Sequence, residues 1–497
     1  MSKADNAAAK VQVLTPGNPL LLLVAFASGW AVMMLEMLSG RMLAPFFGYS
    51  IYQWGALIGV VLAFMAAGYF VGSFLGDRKD AAKWLLLALT LSLLWTWTTP
   101  FWATPFLKAT RVIGPGSGAI VASIILVAIP SFLLAFDAPI VAALAAARGI
   151  ARTAGRTYAV STVGSIGGTF FAAFYAIPEI GTRNSYFIAG LFILVAIVIL
   201  GFTMRQHFTG ATLAAIGVIW LVLAPAPKEN ALYSGESVHN IIHVEDVPGY
   251  RLLYLNYRDG PQTVQPKNGV LSGSYYDSFI LMPALTAQKR ILFLGAAGGA
   301  ALNALSAVWP ESQITGVELD GAVIDVAKKY FGVAERKNVS LVEADARRFV
   351  NDTTQQFDVV GVDLYVTGHI PFHCVTVEFF QELAAKMSDD GVLLMNVLSI
   401  RPGDDLIGPM VETARRAFPF VALFGQGNVM LMASKKTRSF EEIRNLTLYD
   451  RRPEVRLVSR ATLGDLRAFT STEKWPVFTD DKNDVDFRSF RMFYSGY

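Results

Sequence analysis

Three carboxylates that each follow an apolar run are the residues of this chain best placed to do chemistry. Glu318 lies in the run Ile314–Leu319, Asp345 follows Val339–Val342, and Asp363 follows Phe357–Val362. Upstream, the run Ile291–Leu294 opens directly into Gly295, Gly298 and Gly299, and Ala300–Val308 then has helical character. Short apolar runs alternating with helical stretches predict parallel βαβ units. In such a sheet the strand ends share one edge, and ligands bind there. A glycine turn lets backbone approach a ligand closely. An acid about 20 residues further on can accept both hydroxyls of a ribose. The same glycines also suit tight packing of a plain αβ unit, and an aspartate such as Asp363 can simply cap a turn.

The elements that must hold these groups follow in order. Ser237–Val244 and Arg251–Tyr257 alternate as strands do, ahead of the stretch GVLSGSYYDSFILMPAL. After the acids come a strand at Gly391–Val397 ending near Asn396, a helix at Asp404–Phe418, and a strand pair at Phe420–Phe424 and Val429–Ala433. No His, Cys, Asp and Glu grouping has metal-ligand spacing, and no serine or cysteine triad presents itself. Cys374 is the one cysteine. A net charge of +3 gives no support to nucleic-acid binding.

The segments ILFLGAAGG, GVELD, VEADAR and FDVVGVD resemble, in order and spacing, the spermidine synthase (aminopropyltransferase) version of the class I methyltransferase fold. The resemblance runs from about Ser234 to the C-terminus. It implies an α/β domain with a small N-terminal β subdomain, and decarboxylated S-adenosylmethionine as co-substrate without a metal. It places Gly295, Gly298, Gly299 and Glu318 at the cofactor, with Glu318 on the ribose. It places Asp345 and Ala346 at the adenine. Gln262, in DGPQT, falls near a glutamine that touches the cofactor in relatives. Asp363 would help take the proton of an attacking amine, with Tyr365 beside it. Tyr275, Tyr276 and Asp277 align with an acceptor-lining stretch, and Asp480 and Asp481, in WPVFTDDKNDVDF, would help line the same pocket. His373 is read as structural or pocket-lining. Two positions depart from the soluble enzymes. Gly298 stands where they carry an aspartate for the cofactor's amine, and Val366 stands where they carry a second aspartate for the polyamine. Each loss would cost about 10–100-fold in binding.

The first half of the chain is of another kind. Overall 53% of residues are hydrophobic and only 16% charged, and the apolar excess sits in the first 227 residues. Seven stretches have the length and composition of membrane spans: Pro19–Leu43, Trp54–Leu75, Trp84–Leu107, Ala119–Ala147, Tyr158–Ile177, Tyr186–Met204 and Phe208–Leu223. The predicted architecture is therefore an N-terminal tail (1–18), a helical transmembrane domain (19–227), a linker with a small β subdomain (228–283), and a Rossmann-like domain (284–497). No cleaved signal peptide is read in residues 1–18, and APAPK at Ala224–Lys228 is a stiff exit from the membrane. Gly68, Gly72 and Gly76, then Gly164 and Gly168, recur at four-residue spacing and favour close helix packing. Glu36, Arg41 and Asp137 lie inside spans, where a charge costs about 2.5–3.5 kcal/mol at the bilayer centre. They are expected near an interface, in mutual pairs, or around a polar cavity. EMLSGRMLAPFFG with GSFLGDR resembles the transmembrane half of membrane-fused spermidine synthase homologues.

Lysine and arginine counts, nine against five, favour an inside N-terminus. Seven spans would then place the catalytic half outside, so its side stays open; the need for a nucleoside leans it to the cytoplasm of a bacterial inner-membrane protein. The expected partners are an amine or polyamine and the lipid bilayer, with homodimerisation left open. The expected activity is aminopropyl transfer to an amine. The rivals are methyl transfer from intact S-adenosylmethionine on the same scaffold, and a transporter or sensor whose adenosyl-binding domain does not turn over.

Overall fold

The computed structural model describes residues 19–48, 51–110, 113–145, 150–203, 231–256, 260–365, 369–399 and 406–494. The expected seventh span Phe208–Leu223, the 1–18 tail, the APAPK exit and Val366 lie outside the described residues. The chain divides into two units, Met1–Lys228 and Glu229–Tyr497.

Among the described residues of the first unit six helices are long and apolar enough to cross a membrane: Leu20–Phe47, Ile51–Gly76, Ala81–Thr110, Gly116–Ala145, Thr153–Ile180 and Thr182–Thr203. The glycine stripes are where backbones meet. A Cβ at Gly68 would overlap the carbonyl oxygen of Phe132, and one at Gly164 or Gly168 would overlap that of Phe26 or Trp30. We expect Gly164→Val to push the first and fifth helices apart and abolish recovery of folded, monodisperse protein from detergent; wild-type elution and melting would remove this role for the stripe.

The fourth helix is interrupted. It runs Pro115–Ser123, passes through a π-helical turn Ile124–Ala128, resumes at Ile129–Leu134, and restarts at Asp137–Ala145. Prolines account for both irregularities, because proline has no N–H for the carbonyl four residues back. Pro130 deprives Leu126, inside the π turn, and Pro139 deprives Ala135, at the break.

The second unit holds two sheets. Strands β1 (Tyr233–Glu236), β2 (Ile241–Val247), β3 (Tyr250–Leu255) and β4 (Thr263–Pro266) form an antiparallel sheet in that order. The sequence gives no signal for β1, and β2 starts later than its alternation predicts. Ser237 explains the delay: its Oγ accepts from the backbone N–H groups of His239 and Asn240, closing a turn where strand was expected. A 3₁₀ helix, Tyr275–Leu285, follows and buries Phe279, Ile280, Leu281 and Met282.

The larger sheet comprises β5 (Arg290–Leu294), β6 (Gln313–Glu318), β7 (Val339–Glu343), β8 (Phe357–Val362), β9 (Met387–Ser399), β10 (Phe420–Phe424) and β11 (Gly427–Ser434). Its order is β10-β11-β9-β8-β5-β6-β7. β5 to β8 are parallel to one another, β9 is parallel to β8, and β10 and β11 close the edge antiparallel. Leu294 pairs with both Val317 and Val362, and Glu318 pairs with Glu343. The carboxyl ends of β5 to β8 therefore reach one edge together, which is what brings residues 295, 318, 345 and 363 to the same place. Helices cover both faces, so β8 is buried at every residue, as a parallel strand between two layers must be.

Candidate active site

The glycine turn after β5 is built by conformation and by crowding. Gly295 has φ +90° and Gly299 φ +83°, both left-handed. A Cβ at Gly295 would overlap the carbonyl oxygen of Asp363, so glycine is required twice over there. Ala297, at φ +45°, is a non-glycine residue in the left-handed region, held by Glu318: its N–H donates to Glu318 Oε2 at 2.8 Å. Glu318 Oε1 accepts from Asp320 N–H at 3.2 Å. Burial raises the Glu318 pKa above the ordinary glutamate value. The N–H of Gly298 donates to Thr263 Oγ at 2.9 Å, so β4 of the small sheet closes on the turn. A Cβ at 298 would lie 2.9 Å from Thr263 Cγ2. A side chain at this position would have to displace Thr263. Asp320 ties the two sheets together, accepting from Ser237 Oγ at 2.5 Å and Asn240 Nδ2 at 2.7 Å.

Asp363 leaves β8 half-buried, with its N–H donating to Leu294 O at 2.9 Å. Its Oδ2 accepts from the Tyr275 hydroxyl at 2.9 Å and its Oδ1 from Asn396 Nδ2 at 2.9 Å. Desolvation pushes its pKa up to about 6, against the two hydrogen bonds, which pull it down. Tyr275 is itself raised well above the usual phenol range, by burial first and then by the Asp363 charge, so it stays a hydrogen-bond donor. Tyr365 does not touch the carboxylate directly among these contacts. Its hydroxyl donates to Asn396 O at 3.2 Å and accepts from Leu398 N–H at 2.6 Å, pinning the end of β9. Asn396 sits buried at that end, and its Oδ1 has no hydrogen-bond partner among the described residues. The amide orientation follows from its neighbour, because a flipped Oδ1 would face the Asp363 carboxylate. Sequence reading reached Asn396 only as the end of a strand. The missed signal is the asparagine in MNV, an amide after four apolar residues on the strand beside Asp363.

Tyr276 and Asp277 are placed differently from Tyr275. The Tyr276 hydroxyl donates to Gln262 O at 3.2 Å. Asp277 is 7% exposed. Its Oδ1 accepts from the Ser272 N–H and Oγ at 3.0 Å each, and its Oδ2 from Gly273 N–H at 2.8 Å. That carboxylate is committed to the loop that launches Tyr275. We expect Asp277→Asn to cost about 1–3 kcal/mol, because one oxygen becomes a donor facing another donor. Thermal unfolding checks this, and an unchanged midpoint with altered acceptor preference would put Asp277 in the acceptor pocket instead. Gln262 likewise serves the hairpin: its Oε1 accepts from Leu255 N–H at 2.6 Å.

After β7, Asp345 caps the helix Ala346–Asp352, accepting from Arg348 N–H at 3.0 Å. His373 Nε2 lies 3.1 Å from its Oδ2. The His373 hydrogen bond is the main reason the Asp345 pKa falls to about 2, with the Arg348 N–H adding to it. Ala346 is buried beside it. Asp480 belongs to this neighbourhood rather than to that of Asp363. Arg347 donates to both its oxygens, at 2.6 and 2.7 Å, to both oxygens of Glu382 at 2.7 Å, and to His373 O at 3.0 Å. Thr376 Oγ also donates to Asp480 at 2.8 Å. The Asp480 carboxylate thus ties the C-terminal loop to the His373 segment, and Asp481 is exposed beside it. Arg347 went unread because its significance lies in partners 35 and 133 residues away.

The mainly parallel sheet, with a glycine turn after β5 and acids at the ends of the next three parallel strands, makes the second unit an α/β domain. Residues 275–425 match the spermine/spermidine synthase domain. Beyond that match, the chain is similar to polyamine aminopropyltransferases over most of its length. A probable polyamine aminopropyl transferase of Bifidobacterium longum is 30% identical over 204 residues, 41% of this chain and 44% of that protein. Polyamine aminopropyltransferase 2 of Aquifex aeolicus is 25% identical over 455 residues, 85% of this chain and 89% of that one. Polyamine aminopropyltransferase 1 of Ralstonia nicotianae is 24% identical, with 86% of each chain covered. Among solved structures, a spermidine synthase in complex with the transition-state analogue AdoDATO is 21% identical and covers 46% of this chain and 83% of that one, with a TM-score of 0.37.

Proposed function

We propose that the protein is a membrane-bound transferase that moves an aminopropyl group from decarboxylated S-adenosylmethionine to an amine or polyamine. The observation that carries this is Asp363, a carboxylate of raised pKa fixed from both sides, with the unpartnered Asn396 Oδ1 next to it. That oxygen requires a donor, and an attacking amine supplies one. The sulfonium of the co-substrate supplies an already activated carbon. The chain's own groups then have two tasks. Glu318 and the glycine turn hold the nucleoside, with Asp345 at the adenine. Asp363 takes the proton that the amine nitrogen loses as its bond to carbon forms and the carbon–sulfur bond breaks. The catalytic half is read as cytoplasmic, on the ground that its co-substrate is a nucleoside.

The crowding of Gly298 against Thr263 supports a second reading. Without an acid at 298, the carboxylate of intact S-adenosylmethionine meets less repulsion, and methyl transfer becomes the alternative. Mass spectrometry of an amine panel incubated with each adenosyl compound decides. A mass gain of one aminopropyl group supports the proposal, and one methyl group overturns it in favour of the second reading. Binding of either compound without product would make the domain a sensor.

A further inference from the structure

The break in the fourth helix of the membrane unit places a carboxylate where nothing answers it. Asp137 is 2% exposed, and neither of its oxygens has a hydrogen-bond partner among the described residues. The mutual ion pair expected for Glu36, Arg41 and Asp137 does not involve Asp137. Ser28, on the first helix, lies beside it, also 2% exposed and with its Oγ unpartnered among the described residues. One serine hydroxyl can satisfy at most one of the roughly four acceptor sites of the carboxylate, an arrangement that a protein core ordinarily avoids. Aromatic groups approach from a third and a fourth helix. Tyr69 lies within the electrostatic reach of Asp137. Its ring meets that of Tyr158 edge-on at 6.2 Å, and Tyr158 is 43% exposed on the unit's surface. Tyrosine rings therefore link the surface at Tyr158 to the surroundings of Asp137.

We propose that Asp137 is the anionic centre of a binding site within the membrane unit for a protonated aliphatic amine. An ammonium has three N–H donors, which suits a buried carboxylate whose acceptor sites outnumber the one hydroxyl beside it. Its cationic head is attracted to tyrosine faces on the way in. A compensating cation also removes the expense of a bare carboxylate in a low-dielectric interior. This site lies outside the unit that carries the transferase residues, and it stands whether or not that unit turns over.

The test uses the full-length protein in lipid nanodiscs with putrescine as the probe and no adenosyl compound. A hydrophobic carbodiimide modifies accessible buried carboxylates, and mass spectrometry of the peptide containing Asp137 reads this site alone. Putrescine is expected to slow modification of Asp137 about tenfold, the scale of a charged hydrogen bond, while sodium chloride of equal ionic strength leaves it unchanged. Equal rates with and without putrescine would overturn the proposal, and so would equal protection by the salt. Asp137→Asn should lower the number of putrescine molecules bound per chain by about one. An undiminished number in a folded variant overturns the proposal as well. Should that variant not fold, the wild-type labelling still decides.

Discussion

Asparagine at position 363 is expected to lower the single-turnover rate by about 10²–10⁴ while adenosyl affinity stays near that of the wild type. Asparagine keeps the shape, and its oxygen can still accept from Tyr275 or from Asn396. It carries no charge to steady an ammonium and cannot take a proton. Its NH₂ can face Tyr275, whose hydroxyl rotates to accept, while its oxygen accepts from Asn396, so the hydrogen bonds survive and the loss is of the base. Acidity gives a second readout. The carboxyl has a pKa of about 6, so it is protonated below that value and available as a base above it. The wild-type rate should rise with pH through about 6 and then level, rather than turning near 4 as an ordinary aspartate would. Tyr275→Phe removes a donor to the ionised form, so it should move that inflection upward. A flat wild-type profile from pH 5 to 7, or an asparagine variant within about threefold of wild type, would reduce Asp363 to a turn-capping residue. The base would then have to be sought at Tyr365.

The sheet was legible because apolar runs of strand length were bounded by glycines and acids, and because parallel register is enforced by burial on both faces. The residues after β5, β6, β7 and β8 could be placed on one edge from sequence alone for that reason. What could not be read was which carboxylates are free for a ligand. Asp277 sits in a stretch that aligns with acceptor-lining residues, yet three donors from Ser272 and Gly273 converge on it. Asp480 stands in the acidic stretch TDDKNDVD, yet Arg347 and Thr376 hold both its oxygens. These pairings join residues remote in sequence, and no periodicity records them. In the N-terminal helical unit the long helices were visible as apolar lengths and the glycines as a four-residue repeat. The break before Asp137 was encoded in Pro130 and Pro139, which the apolar length of the span concealed.

The second large effect is expected at Glu318. Its two oxygens already have backbone donors, Ala297 N–H at 2.8 Å and Asp320 N–H at 3.2 Å. A carboxylate has about four lone-pair sites, so two remain for the hydroxyls of a ribose. Glutamine in its place keeps one acceptor oxygen and turns the other into a donor. That NH₂ must face either a backbone N–H or the sugar, and it cannot serve both as the carboxylate does. Adenosyl affinity is therefore expected to fall about 10–100-fold, measured by calorimetry on the full-length protein. The variant would also loosen the turn around Ala297, whose left-handed conformation depends on the 2.8 Å bond, so thermal unfolding must be measured alongside. The two roles separate cleanly. If Glu318 only braces the turn, glutamine should lower the melting temperature and leave affinity for the adenosyl compound intact once the protein is folded. If it holds the ribose, affinity falls even at temperatures where the variant is fully native, and a 2′-deoxy analogue, lacking one of the two hydroxyls, should lose much less on going from wild type to variant than the parent compound does.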